Sequence, residues 1–93
     1  MGNITILVNK WFDKPNGNTY HSVKVLVNGS EIGKKNFVYG YERAFMQTAI
    51  KILQNRIQFK YLNDMQDLVY QVKDTYEVKE IITQVNSMKE VNF

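Results

Sequence analysis

Hydrophobic residues recur every three or four positions between residues 41 and 57, which is the spacing of an α-helix with one apolar side. Polar residues fill much of the other side. This pattern predicts a long amphipathic helix that packs its apolar side on a β-sheet and keeps its polar side in water. The predicted apolar side comprises Tyr41, Phe45, Met46, Ala49, Ile50, Ile52, Leu53 and Ile57.

Two segments before this helix, residues 4–12 and 19–27, are rich in β-branched and aromatic residues and predict two strands. The loop between them contains Pro15 and the pair Asn16-Gly17, which favour a turn. A hairpin centred between Pro15 and Asn16 places alternate hydrophobic residues on one face, and a slip by one residue would expose all of them. The predicted pairs on that face are Ile4 with Val27, Ile6 with Val25, and Val8 with Val23.

The pair Asn28-Gly29 matches a two-residue type I′ hairpin turn and predicts a third strand over residues 31–39. In a regular strand Ile32 and Phe37 would point to opposite faces. The parity of this strand is therefore open, because the two residues share a face only if a bulge intervenes near Gly33.

The C-terminal third allows two interpretations. Several hydrophobic residues share one strand parity and predict a fourth strand over residues 69–78; they are Leu68, Tyr70, Val72, Tyr76 and Val78. Residues 78–88 then fit a helix, although residues 80–85 could equally form strands that turn at Asn86-Ser87. We therefore predict an α+β fold with an antiparallel β-sheet in the order β-β-β-α-β, a further C-terminal helix or strand, and the long helix packed on one face.

Composition places the chain among ordinary globular proteins. Its 93 residues, of which 44% are hydrophobic and 23% charged, predict one domain over residues 1–93. No apolar run approaches the length of a membrane span, and the N-terminal residues lack the pattern of a signal peptide, so we expect a cytoplasmic protein that does not enter membranes. The absence of cysteine excludes disulfides and thiol catalysis.

The net charge of +3 is unevenly distributed along the chain. Residues 1–60 hold nine basic and three acidic residues, a balance of +6, whereas residues 61–93 hold three basic and six acidic residues, a balance of −3. This asymmetry indicates either a basic binding face or an attraction between the two halves of the fold.

Residues that could carry catalysis or bind a metal are sparse. The single histidine, His21, falls opposite Lys10 in the predicted hairpin and has no nearby nucleophile or carboxylate in sequence, so we expect a structural or surface role. Asp64, Asp67 and Asp74 match no metal-binding spacing, and the chain has no glycine-rich phosphate loop. We therefore predict a protein that is not an enzyme, with no catalytic residue, cofactor or metal site.

The second face of the predicted hairpin is the better candidate for function. It places Trp11 beside Tyr20, with Lys24 further along the same strand. Such a face could anchor a protein interface or stack nucleic-acid bases, or the C-terminal segment could simply cover it.

A second candidate lies where the third strand meets the helix. Lys34-Lys35 leads to Tyr39-Gly40-Tyr41, and a helix N-terminus attracts anions, so a nucleotide or phosphate site is conceivable. The alternative is that Gly40 only permits a tight turn.

Four short motifs within residues 10–49 carry a family resemblance: Lys10-Trp11-Phe12, residues 17–23 (Gly-Asn-Thr-Tyr-His-Ser-Val), Tyr39-Gly40-Tyr41 and Gln47-Thr48-Ala49. With these the chain resembles small uncharacterised proteins of tailed phages and related mobile elements. The family pattern has Gly-Asp after Tyr-Gly-Tyr, where this chain has Glu42-Arg43.

The resemblance implies a phage-type accessory protein in a host cell, acting as an anti-defence (anti-CRISPR-like) inhibitor that occupies a surface of a host protein or complex. The alternatives are a small nucleic-acid-binding protein and a nucleotide-sequestering protein. The open edge of the third strand also allows a homodimer. The predicted partner-binding residues are Lys10, Trp11, Tyr20, Lys24, Lys34, Lys35, Tyr39 and Tyr41.

Overall fold

The computed structural model describes residues 2–93, apart from the side chain of Ile57, so the prediction that this side chain belongs to the apolar side of the helix lies outside the described residues. Within these residues, four strands and three helices make up an α+β fold, and a short 3-10 helix spans Ile57–Phe59. The elements in chain order are β1 (Gly2–Asp13), β2 (Asn18–Val27), β3 (Ser30–Tyr39), α1 (Phe45–Leu53), α2 (Met65–Val72), β4 (Tyr76–Val85) and α3 (Met88–Val91).

The sheet is mixed, so the prediction of a wholly antiparallel sheet was wrong. Its strand order is β3-β2-β1-β4, and β4 runs parallel to β1. A parallel strand requires a long crossover connection, and the residues between β3 and β4 provide one that contains α1 and α2. The fourth strand is also displaced from the predicted residues 69–78, because α2 occupies the first part of that segment.

The predicted pairing of the first two strands is confirmed. Ile4 pairs with Val27, Ile6 with Val25, and Val8 with Val23, and the register continues to the pair of Trp11 and Tyr20. The six aliphatic residues of this face are buried, and α1 packs on the same face.

The third strand departs from a regular ladder at two places. Val25 pairs with Gly33 but Leu26 pairs with Glu31, so Ile32 is an extra residue and forms a bulge. The bulge lies where the sequence had left the parity of the strand open. A second irregularity lies opposite Ser22 and includes Phe37, whose φ is 57°.

The predicted long helix is shorter than residues 41–57. Residues 41–44 form turns in which Glu42 has a φ of 54°, a backbone conformation that an α-helix does not accept. Tyr41 consequently lies outside the helix and is exposed. The buried residues of α1 are Phe45, Ala49, Ile50, Ile52 and Leu53.

Asp64 and Asp67, whose spacing matches no metal site, lie at the start of the second helix. The N–H of Asp67 donates to Asp64 Oδ1 at 2.8 Å, and the N–H of Asn63 donates to Asp67 Oδ2 at 3.1 Å. Both bonds satisfy backbone donors around the start of α2, which buries Leu68 and Val72 in the core. Within residues 2–93 no helix is long and apolar enough to cross a membrane.

Candidate functional site

The sheet face opposite α1 and α2, here called the open face, falls into two regions. Residues 88–93 cross one region, and a group of contacting aromatic rings occupies the other. That group is here called the aromatic cluster and comprises Trp11, Tyr20, Phe37, Tyr39 and Tyr41.

The aromatic cluster is a continuous series of ring contacts across three strands. Tyr20 stacks on Trp11 of β1, with ring centroids 5.7 Å apart, and on Phe37 of β3, with centroids 4.5 Å apart. Tyr39 meets Tyr20 edge-on at 5.7 Å, and Tyr41 meets Tyr39 edge-on at 5.4 Å. Stacked and edge-on pairs at these separations stabilise one another, so the rings hold a common arrangement.

The backbone irregularity at Phe37 completes this arrangement. The Phe37 N–H donates to the hydroxyl of buried Ser22 at 2.9 Å, which holds the residue in its left-handed conformation. The Phe37 ring then lies against Tyr20 and within 6.4 Å of Trp11. Phe37 was not among the predicted binding residues, because its contact with Tyr20 depends on the second irregularity of β3, which has no signal in the spacing of the sequence.

The two outer tyrosines connect the cluster to the hairpin loop. The Tyr41 hydroxyl donates to the Gly17 carbonyl oxygen at 3.1 Å. The neighbouring Tyr41 side chain raises the pKa of Tyr39 above its ordinary value. Phe37, Tyr39 and Tyr41 remain 40%, 54% and 52% exposed, so this anchored group of rings faces solvent.

The other region of the open face lies under the C-terminal residues. Val91 is fully buried, and the Asn9 side chain donates to its carbonyl oxygen at 3.3 Å. Asn36 forms a paired contact with Phe93, accepting from its N–H at 2.9 Å and donating to its oxygen at 3.3 Å. The expectation that the C-terminal segment could cover this face is thus correct for one region and not for the aromatic cluster.

The predicted lysines divide between the two faces of the sheet. Lys24 and Lys34 lie on the open face but contact the C-terminal residue: Lys34 donates to the Phe93 oxygen at 3.2 Å, and the Lys24 ammonium lies 5.3 Å from the Phe93 ring centroid. Lys24 also forms an ion pair with Glu31 at 3.5 Å.

The remaining two lysines lie on the helix side. Lys10 pairs with His21 and donates to the Glu42 carbonyl oxygen at 3.0 Å. Lys35 pairs with Val23, whose side chain belongs to the core under α1. The structure therefore brings Trp11, Tyr20, Tyr39 and Tyr41 together and does not bring Lys10 or Lys35 to them.

The geometry around Gly40 matches a tight turn. A Cβ at this position would lie 2.6 Å from the Ala44 Cβ, and the Gly40 N–H donates to the Thr19 carbonyl oxygen at 3.0 Å. The rings of Tyr39 and Tyr41 contact each other edge-on and leave no slot for a base between them. Nearby Arg43 binds both carboxylate oxygens of Glu80 at 3.0 Å, which occupies that cation.

His21 is buried beneath α1 and forms a hydrogen bond between Nε2 and the Thr48 hydroxyl at 2.8 Å. Burial lowers its pKa below the ordinary value, and the charge on Lys10 lowers it further. The ring therefore favours its neutral form and ties β2 to α1.

Comparison with protein-family models, with curated proteins and with solved structures finds no match to this chain.

Proposed function

We propose that this chain is a non-enzymatic binding protein whose aromatic cluster docks on the surface of a partner protein. The observation that carries the proposal is the continuous contact of five aromatic side chains, three of them at least 40% exposed. Tryptophan and tyrosine dominate the energetics of protein interfaces, and exposed groups of aromatic rings commonly mark such surfaces.

The cluster is also arranged in advance of binding. Tyr20 lies between neighbouring rings, Phe37 is held through Ser22, and Tyr41 is tied to Gly17. Side chains that are already ordered lose little conformational freedom on association, which increases the affinity available from each contact. These contacts support a docking surface of defined shape.

A protein partner is favoured over nucleic acid by the positions of the lysines. Affinity for a phosphate backbone comes mainly from several cations aligned along one surface. Here Lys10 and Lys35 lie on the helix side, and Lys24 and Lys34 contact Phe93 beside the cluster. These four lysines therefore form no aligned row of free cations along the aromatic rings.

The resemblance to phage-type proteins extends the proposal to the kind of partner. In this proposal the partner is a host protein or complex, and the chain acts as an anti-defence inhibitor by occupying its surface. Inhibition by occupancy needs a rigid surface and no chemistry, which suits the aromatic cluster.

The test is quantitative affinity capture from a host-cell lysate with the tagged full chain and two matched tyrosine variants. Tyr39→Ala removes an exposed ring of the cluster, and Tyr61→Ala removes a ring that is 81% exposed elsewhere on the surface. We expect Tyr39→Ala to reduce capture of the specific partner about tenfold or more, as for an interface hot spot, and Tyr61→Ala to leave it unchanged.

Thermal melts of both variants establish that they remain folded. Equal capture by parent and Tyr39→Ala would overturn the docking role of the cluster. Capture that disappears after nuclease treatment, or whose affinity falls steeply with salt, would instead support nucleic-acid binding.

A further inference from the structure

The two outer strands of the sheet differ in how well they resist pairing with another chain. β3 contains two bulges, and it also contains Gly33 and the adjacent cations Lys34 and Lys35. Bulges and charged side chains of this kind protect sheet edges from pairing. β4 pairs with β1 from Tyr76 to Val85 without any register shift. No strand within residues 2–93 pairs with the outer side of β4.

The β4 edge, which has no bulge, also exposes apolar side chains on both of its faces. Ile81 lies on the open face and is 40% exposed, whereas Ile82 lies on the helix side and is 43% exposed. Beside the edge, a groove of about 800 Å³ separates β4 from α2 and includes the exposed side chains Val69 and Tyr70. A strand added to β4 would extend the sheet and cover both isoleucines at once.

We propose that the strand added to β4 is β4 of a second copy, paired antiparallel about a two-fold axis at Ile81. In a two-fold pair the same strand meets itself, so its sequence must be complementary to its own reverse. Axes at Lys79 or Glu80 would place like charges directly opposite each other, which is unfavourable.

Among the axes that avoid this repulsion, an axis at Ile81 pairs the largest number of β4 residues between the two copies. Ile81 then faces Ile81, Glu80 faces Ile82, and Lys79 faces Thr83, with residues 77–85 of both copies paired. An axis at Ile82 also avoids like charges but shortens the overlap to residues 79–85. An axis at Val78 pairs Lys79 favourably with Glu77 but leaves both isoleucines outside the pairing.

The proposed dimer differs from a dimer through the third strand, which the sequence suggested. Here the third strand is an edge, as predicted, but its bulges at Ile32 and Phe37 interrupt the regular row of backbone groups. The dimer also leaves the aromatic cluster free, because Trp11, Tyr20 and Phe37 lie on β1, β2 and β3. The dimer can therefore be tested independently of the proposed docking role of the aromatic cluster.

Single-cysteine crosslinking tests both the dimer and its register, because the chain has no cysteine of its own. Ile81→Cys would place two thiols directly across the axis, where cross-strand Cβ atoms are about 5 Å apart. Thr83→Cys, on the same face, would meet Lys79 of the other copy instead. Under mild oxidation we expect Ile81→Cys to form a covalent dimer at least tenfold faster than Thr83→Cys.

Sedimentation of the parent and two charge variants gives a second readout. We expect the parent chain of 10.9 kDa to sediment as a dimer. Ile81→Lys should sediment as a monomer, because it places two cations at the axis, and Ser30→Lys should remain a dimer, because it adds the same charge to the β3 edge. A monomeric parent, a dimeric Ile81→Lys, or equal crosslinking of the two cysteine variants would overturn the proposal.

Discussion

The helix-covered face and the open face of the sheet are built from the same strands but differ in what covers them. On the helix side, α1, α2 and the 3-10 helix seal the aliphatic residues of β1 and β2 in one apolar cluster. On the open face, residues 88–93 cover only one region and are anchored largely through Asn9 and Asn36. The aromatic cluster fills the remainder and stays in contact with water.

This difference separates stability from binding within one small sheet. Burial of apolar surface supplies most of the free energy of folding, so the helix side should hold most of the stability. A face with lighter cover can expose aromatic rings without endangering the fold. Substitutions on the two faces should therefore lower the free energy of unfolding by different amounts.

The largest cost is expected for a truncation at the centre of the helix side. Leu53 is fully buried in the core, and Leu53→Ala should lower the free energy of unfolding by about 2–5 kcal/mol through lost burial and the cavity left behind. Urea denaturation of parent and variant measures this loss. Lys51→Ala, at an exposed position of the same helix, is the control and should change stability by less than about 0.5 kcal/mol.

An intermediate cost is expected beneath the C-terminal cover of the open face. Val91 is fully buried there but lies outside the main core cluster, and Val91→Ala removes two methyl carbons, which should cost about 1.5 kcal/mol. The exposed residue Met88 of the same helix is the control, and Met88→Ala should be nearly neutral. If the Val91 variant lost as much stability as the Leu53 variant, the open face would be a second core, and the proposed division between the faces would be wrong.

The N-terminal half of the fold was predictable because its signals are local. The register of β1 and β2 follows from one loop and from the requirement that Ile6 and Val25 share a buried face. The parity of Ile32 and Phe37 raised the possibility of a bulge near Gly33, and the structure has one at Ile32. Such features need only residues that are close in sequence.

The prediction for the C-terminal third was wrong because the same residues fit both the strand period and the helix period. Leu68 and Val72 share strand parity, but they are also four residues apart, which places them on one side of α2. The capping residue Asp64 was the missing signal for that helix. The parallel pairing of β4 with β1 depends on contacts between residues that are distant in sequence. The spacing of hydrophobic residues does not predict such contacts.

The candidate site was likewise predictable only where its contacts follow from local spacing in the sequence. The contact of Trp11 with Tyr20 was predictable from the hairpin register, because they are direct cross-strand partners. The addition of Phe37 and the contacts of Phe93 with Lys24 depend on a bulge and on the path of the C-terminal residues. Neither is encoded in spacing along the chain.

The smallest of the predicted effects concerns the polar contact between His21 and Thr48 on the helix side. An unfolded histidine binds its proton near its ordinary pKa of 6.5, whereas the buried His21 binds one only at lower pH. Between these two values the unfolded state holds more protons, so the contribution of His21 to stability is present above pH 6.5 and is lost as the pH falls. The slope is at most about 1.4 kcal/mol per pH unit, because one proton is involved.

Urea denaturation at pH 7.5 and pH 5.5 measures this effect, with His21→Gln as the matched variant. Glutamine can still bond to the Thr48 hydroxyl but does not titrate, while every carboxylate of the chain is common to both proteins. The parent should therefore lose more stability than the variant between the two pH values. Equal losses would mean that the helix side accepts a charged imidazole next to Lys10. The helix side would then not be sealed and apolar, and the contrast with the open face would be lost.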